Sequence, residues 1–180
     1  VKTKKKTGIA AISIKDNDEL VSVSLVKDEP LILLTKNGMG IKFSSLEVGA
    51  TSRVTAGVKG INLNTDDEVV AALPVRDEND YLAVFNANGM AKKFASSELP
   101  LQKRAGKGLI CSKNELAAAA LVSDEDNLLI CGDTNSICIA AKDITIGSRP
   151  SMGTIAIKDN NIISVSKVWY RGIKFPLYLT

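Results

Sequence analysis

A short segment occurs three times in this chain of 180 residues, and the repetition limits the possible folds more than any other feature. Each copy is an apolar run, a polar turn and a second short run, which is the pattern of a β-hairpin. Two copies contain Asn37-Gly38 and Asn88-Gly89, the dipeptide favoured in two-residue hairpin turns. The copies are LILLTKNGMGIKF (31–43), YLAVFNANGMAKKF (81–94) and LLICGDTNSICIA (128–140). We therefore predict three hairpins, whose turns are separated by 51 and then 47 residues.

Each hairpin is followed by a second repeated segment, in which a cation and a glycine precede an apolar strand. Its copies are SRVTAGVKGINL (52–63), QKRAGKGLICS (102–112) and GSRPSMGTIAI (147–157), and KKKTGIAAISI (4–14) resembles them. The aligned glycines Gly60, Gly108 and Gly153 are 48 and 45 residues apart. Two linked segments that recur in order at near-constant spacing indicate structural repeats.

The repeating unit spans about 45–50 residues and contains about four short strands, which is typical of a propeller blade. After the glycine segment, each unit continues through an acidic turn into a strand rich in Val, Ile and Leu, for example at residues 20–25. Residues 115–122 contain four alanines that would suit a helix, but they occupy the position of this strand, so we predict a strand. The predicted fold is all-β. An ordinary β-sandwich whose turns look alike is the alternative.

The composition excludes several kinds of site. The chain has no histidine, which rules out Ser-His-Asp and Cys-His catalysis within it. Its three cysteines form no C-x-x-C pair, so they indicate neither a disulfide framework nor a zinc site. No apolar run approaches the ~18 residues that span a bilayer, and no apolar segment follows the initial cations as in a signal peptide. We therefore expect a cytoplasmic protein whose own chain binds no cofactor, metal or membrane.

The positive charge is concentrated in one part of the chain. The net charge is only +3, but residues 86–113 contain six cations and one acid, a local charge of +5. Every unit has cations between its hairpin turn and its aligned glycine, whereas the acids mostly follow the glycine. Since equivalent positions of a repeat lie on the same side of the array, we expect the cations to form a stripe.

A repeated basic stripe fits the regular charge of a nucleic-acid backbone. Duplex DNA carries one phosphate charge per ~1.7 Å of its axis, and a protein that neutralises phosphates gains from the release of counterions. Aromatic residues are only 4% of the chain, and Phe43 and Phe94 end hairpin strands as core residues would. This disfavours a stacking platform for single strands. We expect duplex DNA that is held by its backbone and bent. The alternative is a propeller-like scaffold for an acidic protein partner, without DNA binding.

At these residues the sequence resembles a known family. TKNGMGIKF followed by TSRVTAGVKGINLNTDDEVV resembles one blade of the C-terminal domain of the A subunit of bacterial type IIA topoisomerases, which are DNA gyrase and topoisomerase IV. KKKTGIAAISIKDNDELVSVSL resembles the end of the preceding blade. The resemblance covers about residues 4–168 and depends on several linked elements that recur in order.

Residues 102–108 resemble the gyrase-A box of that family, Q-[RK]-R-G-G-[RK]-G. They read Gln102-Lys103-Arg104-Ala105-Gly106-Lys107-Gly108, with Ala105 where the box has glycine. In gyrase the box lets the domain wrap DNA through a large turn, whereas the topoisomerase IV proteins have degenerate boxes or none and bend DNA less. The altered box, in a position that resembles a late blade, favours topoisomerase IV, with gyrase as the alternative.

The resemblance implies a β-pinwheel, a propeller-like array of four-stranded blades that exchange strands. Residues 1–180 would form one such C-terminal DNA-binding domain, as a fragment or a shortened array of about three blades plus a partial one, and residues 169–180 stay unassigned. The family cleaves DNA with a tyrosine and Mg²⁺ in another domain, so the resemblance implies no catalytic residue here. ATP and Mg²⁺ belong to the full enzyme. The implied partners are the ATPase subunit of that enzyme and the catalytic core to which this domain is joined.

The candidate DNA-binding residues all lie between the turn of a hairpin and the aligned glycine that follows it, that glycine included. Arginine can bind phosphate through two N–H groups, lysine supplies a mobile point charge, and glycine lets the backbone approach a phosphate closely. The candidates are Lys42, Arg53, Lys59, Lys92, Lys93, Gln102, Lys103, Arg104, Gly106, Lys107, Gly108 and Arg149.

Overall fold

The computed structural model describes residues 7, 9–15, 18–51, 55–158 and 161–168, and its regular elements are strands and short 3₁₀ turns. The strands are β1 (Leu31–Thr35), β2 (Met39–Phe43), β3 (Val69–Pro74), β4 (Tyr81–Asn86), β5 (Met90–Ala95), β6 (Leu109–Ile110), β7 (Leu116–Val122), β8 (Asn127–Gly132), β9 (Ser136–Ala140), β10 (Thr154–Ile155) and β11 (Ile162–Val168). The 3₁₀ turns are Ser45–Glu47, Ser96–Glu98 and Ala141–Asp143. The predicted all-β fold is confirmed.

The strands form three antiparallel sheets, one for each predicted hairpin. Sheet A has the order β3-β1-β2-β6, sheet B has the order β10-β5-β4-β7, and sheet C has the order β11-β8-β9. The hairpins are β1–β2, β4–β5 and β8–β9, with turns at the predicted positions. The first two turns contain Gly38 and Gly89 at φ +80° and +82°, a conformation that glycine adopts without strain. The alanine-rich segment 115–122 forms β7, as predicted.

Neighbouring sheets exchange a short strand. β6 follows the hairpin of sheet B in the chain, but it pairs with β2 at the edge of sheet A. In the same way, β10 follows the hairpin of sheet C but pairs with β5 at the edge of sheet B. The glycine segments therefore cross from one sheet to the previous one, and each basic segment before β6 or β10 lies at such a crossing.

The hydrophobic core consists of layers between the sheets. Leu82 and Val84 on one face of β4 pack with residues of sheet A, while Ala83 and Phe85 on the other face pack with residues of sheet C. Successive strand residues point to opposite faces, so a sheet that is covered on both sides needs an uninterrupted apolar strand. This explains the apolar run at residues 81–85. Phe94 is buried between sheets A and B, in agreement with its assignment to the core.

The strand predicted at residues 20–25 is not formed, and the partial blade is not a sheet in the described residues. The equivalent strands β3, β7 and β11 each pair with the first strand of the hairpin that precedes them in the chain. Among the described residues no strand pairs with residues 20–25, and Val23 and Leu25 are exposed. The unassigned residues 169–180 lie outside the described residues.

Membrane-crossing helices and metal clusters are both absent from the described residues. No helix among them is long and apolar enough to cross a membrane. Within the same ranges, no group of three His, Cys, Asp or Glu residues could hold a metal ion together.

Candidate nucleic-acid interface

Loops 102–108 and 147–153 occupy equivalent positions at the crossings into β6 and β10. The Gln102 N–H donates to the carbonyl oxygen of Lys42 at 2.7 Å, and the Gly147 N–H donates to the carbonyl oxygen of Lys93 at 3.0 Å. Lys42 and Lys93 are themselves equivalent, because each lies four residues after the glycine of its hairpin turn. The two loops therefore start from the same point of successive sheets.

A glycine fixes the end of each loop for a steric reason. Gly108 and Gly153 have φ +74° and +85°, the left-handed region that glycine favours. A Cβ on Gly108 would lie 2.4 Å from the carbonyl oxygen of Gly40, and a Cβ on Gly153 would lie 2.4 Å from that of Ala91. Both glycines thus let a basic loop pass directly against the hairpin strand of the neighbouring sheet.

Each loop contains one arginine whose side chain reaches the neighbouring blade. The backbone N–H of Arg104 donates to Glu47 Oε2 at 3.0 Å, and the backbone N–H of Arg149 donates to Glu98 Oε2 at 3.3 Å. The Arg104 guanidinium also donates to the carbonyl oxygens of Glu47, at 3.2 Å, and Lys59. A guanidinium has five N–H donors, so Arg104 can hold these carbonyls and still bind a phosphate oxygen.

The Arg149 guanidinium makes the corresponding contact with the exchanged strand. Its Nη1 donates to the carbonyl oxygen of Ile110 in β6 at 2.5 Å. Both arginines are half-buried, because they join neighbouring units as well as facing outward.

Loop 102–108 is also bonded to the preceding basic segment. The Ala105 N–H donates to the carbonyl oxygen of Gly60 at 2.8 Å, and the Asn62 N–H donates to the carbonyl oxygen of Gly106 at 2.9 Å. These bonds join a loop that carries the exposed Lys103 and Lys107 to a segment that carries the exposed Lys59. The first two basic segments therefore touch, and the third, loop 147–153, reaches β6 through Arg149.

Lys42 and Lys93 do not fit the prediction that they contact DNA. They are only 5% and 1% exposed. Lys42 Nζ lies 3.1 Å from Glu78 Oε2 and donates to the Ser96 carbonyl, and Lys93 Nζ lies 2.5 Å from Asp124 Oδ1 and donates to the Ala141 carbonyl. Ser96 and Ala141 directly follow the next hairpin, and Glu78 and Asp124 lie in the turns that lead into it. The two lysines therefore connect successive sheets, and a phosphate outside the protein does not reach them.

Lys92 is also buried and does not fit the prediction of a direct phosphate contact. It is 1% exposed, and its Nζ donates to carbonyl oxygens of the loop that contains Arg149. Desolvation lowers the pKa of Lys92 from its ordinary value of 10.5 to about 8. The Cys111 thiol lies close enough to influence Lys92, and its own burial raises its pKa to about 12, so it is neutral at pH 7.

Of the predicted residues, the surface loops retain Lys59, Gln102, Lys103, Arg104, Gly106, Lys107, Gly108 and Arg149, and Arg53 lies outside the described residues. Sequence reasoning missed Glu47 and Glu98, which position the arginines, and Glu78 and Asp124, which pair with the buried lysines. A signal was present for the first two. Glu47 and Glu98 each lie five residues after the equivalent lysines Lys42 and Lys93, and are 51 residues apart, as the first two hairpin turns are.

Comparison with known proteins identifies relatives of this arrangement. The family model "DNA gyrase C-terminal domain, beta-propeller" matches residues 1–27, 29–76 and 80–118. The A subunit of DNA gyrase from Mycobacterium bovis is 34% identical over 155 residues, which are 81% of this chain and 18% of that protein. This chain thus spans about a fifth of the length of the curated relatives it matches.

Two solved structures are similar to the whole arrangement of sheets. The C-terminal domain of DNA topoisomerase IV has a TM-score of 0.84 and 26% identity, over 88% of this chain and 52% of that one. The DNA gyrase A C-terminal domain has a TM-score of 0.82 and 29% identity, over 90% of this chain and 58% of that one. The resemblance to a β-pinwheel domain of a type IIA topoisomerase is confirmed.

Proposed function

Because the chain belongs to the DNA gyrase C-terminal domain family, we propose that it binds duplex DNA without sequence preference and bends it along its basic loops. The observation that carries this proposal is the physical connection of the loops. The segment containing Lys59, loop 102–108 and β6 are bonded to one another, and Arg149 of loop 147–153 bonds to β6. Cations that these bonds hold next to one another can follow a DNA backbone.

The chemistry of the interface is phosphate binding rather than base reading. Lys59, Lys103 and Lys107 are exposed and supply mobile charges, while Arg104 and Arg149 are held by carbonyl contacts in fixed positions. Contacts of this type set the path of the DNA and carry no sequence information. Bending the duplex costs elastic energy, which additional phosphate contacts along the array offset.

We propose that this domain delivers DNA to the cleavage core of the topoisomerase chain to which it is joined, and that the domain does not itself cleave DNA. The full enzyme would use ATP and Mg²⁺ outside this chain, with ATP bound by its ATPase subunit. Its location would be the cytoplasm, at the nucleoid. Wrapping through a large angle would indicate a gyrase, and weaker bending would indicate a topoisomerase IV.

The experiment is binding of the complete chain to a duplex of roughly 150 base pairs, about one persistence length, with a fluorescent donor and acceptor at its ends. Affinity and end-to-end energy transfer are measured across a salt series. Steep weakening with salt together with approach of the ends supports the proposal. Absence of binding at low salt would overturn it and favour the protein-scaffold alternative.

The variant Lys103→Gln/Lys107→Gln identifies the interface. Each lost phosphate contact reduces the slope of log K against log salt by ~0.9, so we expect a loss of about 1.8 in slope and roughly a tenfold to hundredfold loss of affinity at 0.1 M salt. The matched control is Lys158→Gln, which removes an exposed lysine between β10 and β11. A loss confined to particular DNA sequences, or an equal loss in the control, would contradict this interface.

A further inference from the structure

Lys92 differs from the residues at the same position of the other two hairpins. It follows the hairpin glycine by three residues, as Ile41 does in β2, and Ile139 is its counterpart in β9. Ile41 lies under loop 102–108, because its Cδ1 is 3.4 Å from the position of a Cβ on Gly106. Lys92 lies under loop 147–153, since its Cβ is 3.2 Å from the position of a Cβ on Gly153. A cation therefore lies beneath loop 147–153, whereas an isoleucine lies beneath loop 102–108.

The Lys92 ammonium is surrounded by backbone carbonyls of that loop. Its Nζ donates to the carbonyl oxygens of Ser148 at 3.2 Å, Arg149, and Ser151 at 2.5 Å. An ammonium has three donors, so the three carbonyls use all of them. Several backbone carbonyls that converge on one positive charge form the environment that a bound monovalent cation would need, and here a side chain of the protein supplies the charge.

Loop 147–153 needs this support because it lacks a bond that loop 102–108 has. Ala105 donates its N–H to Gly60, whereas Pro150 at the equivalent position has no N–H to donate. Proline also has φ fixed near −65°, so it cannot adopt the φ of +65° found at Ala105. Loop 147–153 must therefore follow a different path, and its carbonyls turn toward Lys92.

We propose that Lys92 is a positioning residue that takes the place of a bound cation beneath loop 147–153 and thereby holds Arg149 in the DNA interface. The DNA part of this inference rests on the proposed function, whereas the loop part does not. Lys92 bonds to the carbonyl of Arg149 itself and to those of residues on both sides of it. Without the ammonium, three carbonyls that point to one place have no common donor.

The surrounding charges are compatible with an ammonium at this site. Glu98, on the 3₁₀ turn, favours the charged form of Lys92, and Arg149, on the loop, opposes it. Glu98 also accepts the backbone N–H of Arg149, so the same carboxylate favours the charged form of Lys92 and holds the loop backbone. Desolvation places the pKa of Lys92 at about 8, and the residue is thus charged at pH 7.

The first test requires no DNA. In Lys92→Ile, which copies the residue of the other two hairpins, we expect amide hydrogen exchange of residues 148–153 to accelerate at least about tenfold, while residues 102–108 and the strands keep their protection. In Lys92→Ala, n-propylammonium should restore protection of the loop, whereas sodium at the same concentration should not. Unchanged exchange of residues 148–153 in Lys92→Ile would overturn the proposal.

The second test separates positioning from loss of charge. With DNA, Lys92→Ile should weaken binding about tenfold at 0.1 M salt and reduce the salt slope by about 0.9, the effect of one phosphate contact. Arg149→Gln should have a similar effect. If Lys92 acts through Arg149, Lys92→Ile should cause little further loss in the Arg149→Gln background. Full additivity of the two losses would mean that Lys92 does not act through Arg149, and would reject that role.

The two tests distinguish failure of this inference from failure of the proposed function. If the unaltered chain binds no DNA, the proposed function fails, and the exchange of residues 148–153 still decides whether Lys92 organises the loop. If the unaltered chain binds DNA and Lys92→Ile loosens the loop without changing affinity, the role of Lys92 in DNA binding is rejected while the proposed function stands.

Discussion

Loops 102–108 and 147–153 are equivalent in position, but they are stabilised differently. Loop 102–108 bonds to the backbone of residues 60–62 and lies over an isoleucine. Loop 147–153 contains a proline where that bond would start, and it lies over Lys92. The charges differ correspondingly, because the exposed Lys103 and Lys107 of the first loop are replaced by Ser148 and Met152 in the second.

The difference shows that a repeat can keep a basic loop by two routes. One route places lysines on the surface, where they can bind phosphate directly. The other places a lysine beneath the loop, where it orders the backbone that carries a single arginine. Counting cations along the sequence treats the two routes alike, although only surface lysines contribute directly to salt-dependent binding.

Substitution of the shared glycines should have the largest effect and should affect both loops equally. Gly108→Ala and Gly153→Ala each add a Cβ that overlaps a backbone oxygen at 2.4 Å and force alanine into positive φ. Positive φ alone costs roughly 1–2 kcal/mol, and the displaced strand adds to this, so we expect a loss of about 2–4 kcal/mol in the free energy of unfolding. Urea denaturation measures it.

Gly57→Ala is the control for the glycine prediction. Gly57 has φ +75°, but a Cβ there would meet nothing within 4 Å, so only the conformational cost of roughly 1–2 kcal/mol applies. If Gly108→Ala costs no more than Gly57→Ala, the close approach of the loops to β2 and β5 does not contribute to stability.

Of the two loops, we expect loop 147–153 to respond to alkaline pH. The loop should become less ordered, while the free energy of unfolding of the whole chain should rise. The pKa of Lys92 is about 8 in the folded protein, below the ordinary 10.5. Between these values Lys92 is protonated in the unfolded chain and neutral in the folded chain. Burial of its charge therefore destabilises the folded chain fully below pH 8, and this destabilisation disappears as the pH rises. Relative to Lys92→Ile, the free energy of unfolding should therefore increase by at most about 1.4 kcal/mol per pH unit in this window.

The loop should loosen over the same pH range, because a neutral amine has two N–H groups for three carbonyls. The chemical shift of the Ser151 amide, which donates to Ser148 at 3.0 Å, reports this change. Loop 102–108, which lies over Ile41, is the internal control. Equal shift changes in both loops would indicate a general effect of pH and would remove Lys92 as its cause.

Much of the fold could be predicted from local patterns. The Asn-Gly turns determine the hairpins, and the period of the glycine segments determines the number of units. The position of β7 could be predicted despite its four alanines, because the repeat places a strand there. Residues 20–25 show the limit of this reasoning. Their alternation is that of a strand, but strand formation depends on a partner, which a local pattern does not specify.

The interface could be predicted only in part, because the sequence does not show which strand faces are covered. Lys92 and Lys93 are adjacent in β5 and therefore point to opposite faces. In a sheet with one solvated face, one of them would be exposed. Sheet B is packed between sheets A and C, so both lysines are buried, and each finds carbonyl acceptors in a different place. The loop lysines Lys103 and Lys107 do not have this ambiguity, since a Gly-rich crossing lies at the surface.

The smallest expected effect is a change in the free energy of unfolding that has opposite signs in the two loops. Ala105 has φ +65°, so Ala105→Gly relieves roughly 1–2 kcal/mol of conformational strain. Glycine also increases the entropy of the unfolded chain, which costs about 0.4–1 kcal/mol, and the net gain in the free energy of unfolding should be about 0.5–1 kcal/mol. At the equivalent position, Pro150→Gly relieves no such strain and increases the unfolded entropy, so it should lose about 0.4–1 kcal/mol. Thermal or urea unfolding of the two variants measures both changes. A loss in both variants would show that the positive φ of Ala105 does not strain loop 102–108.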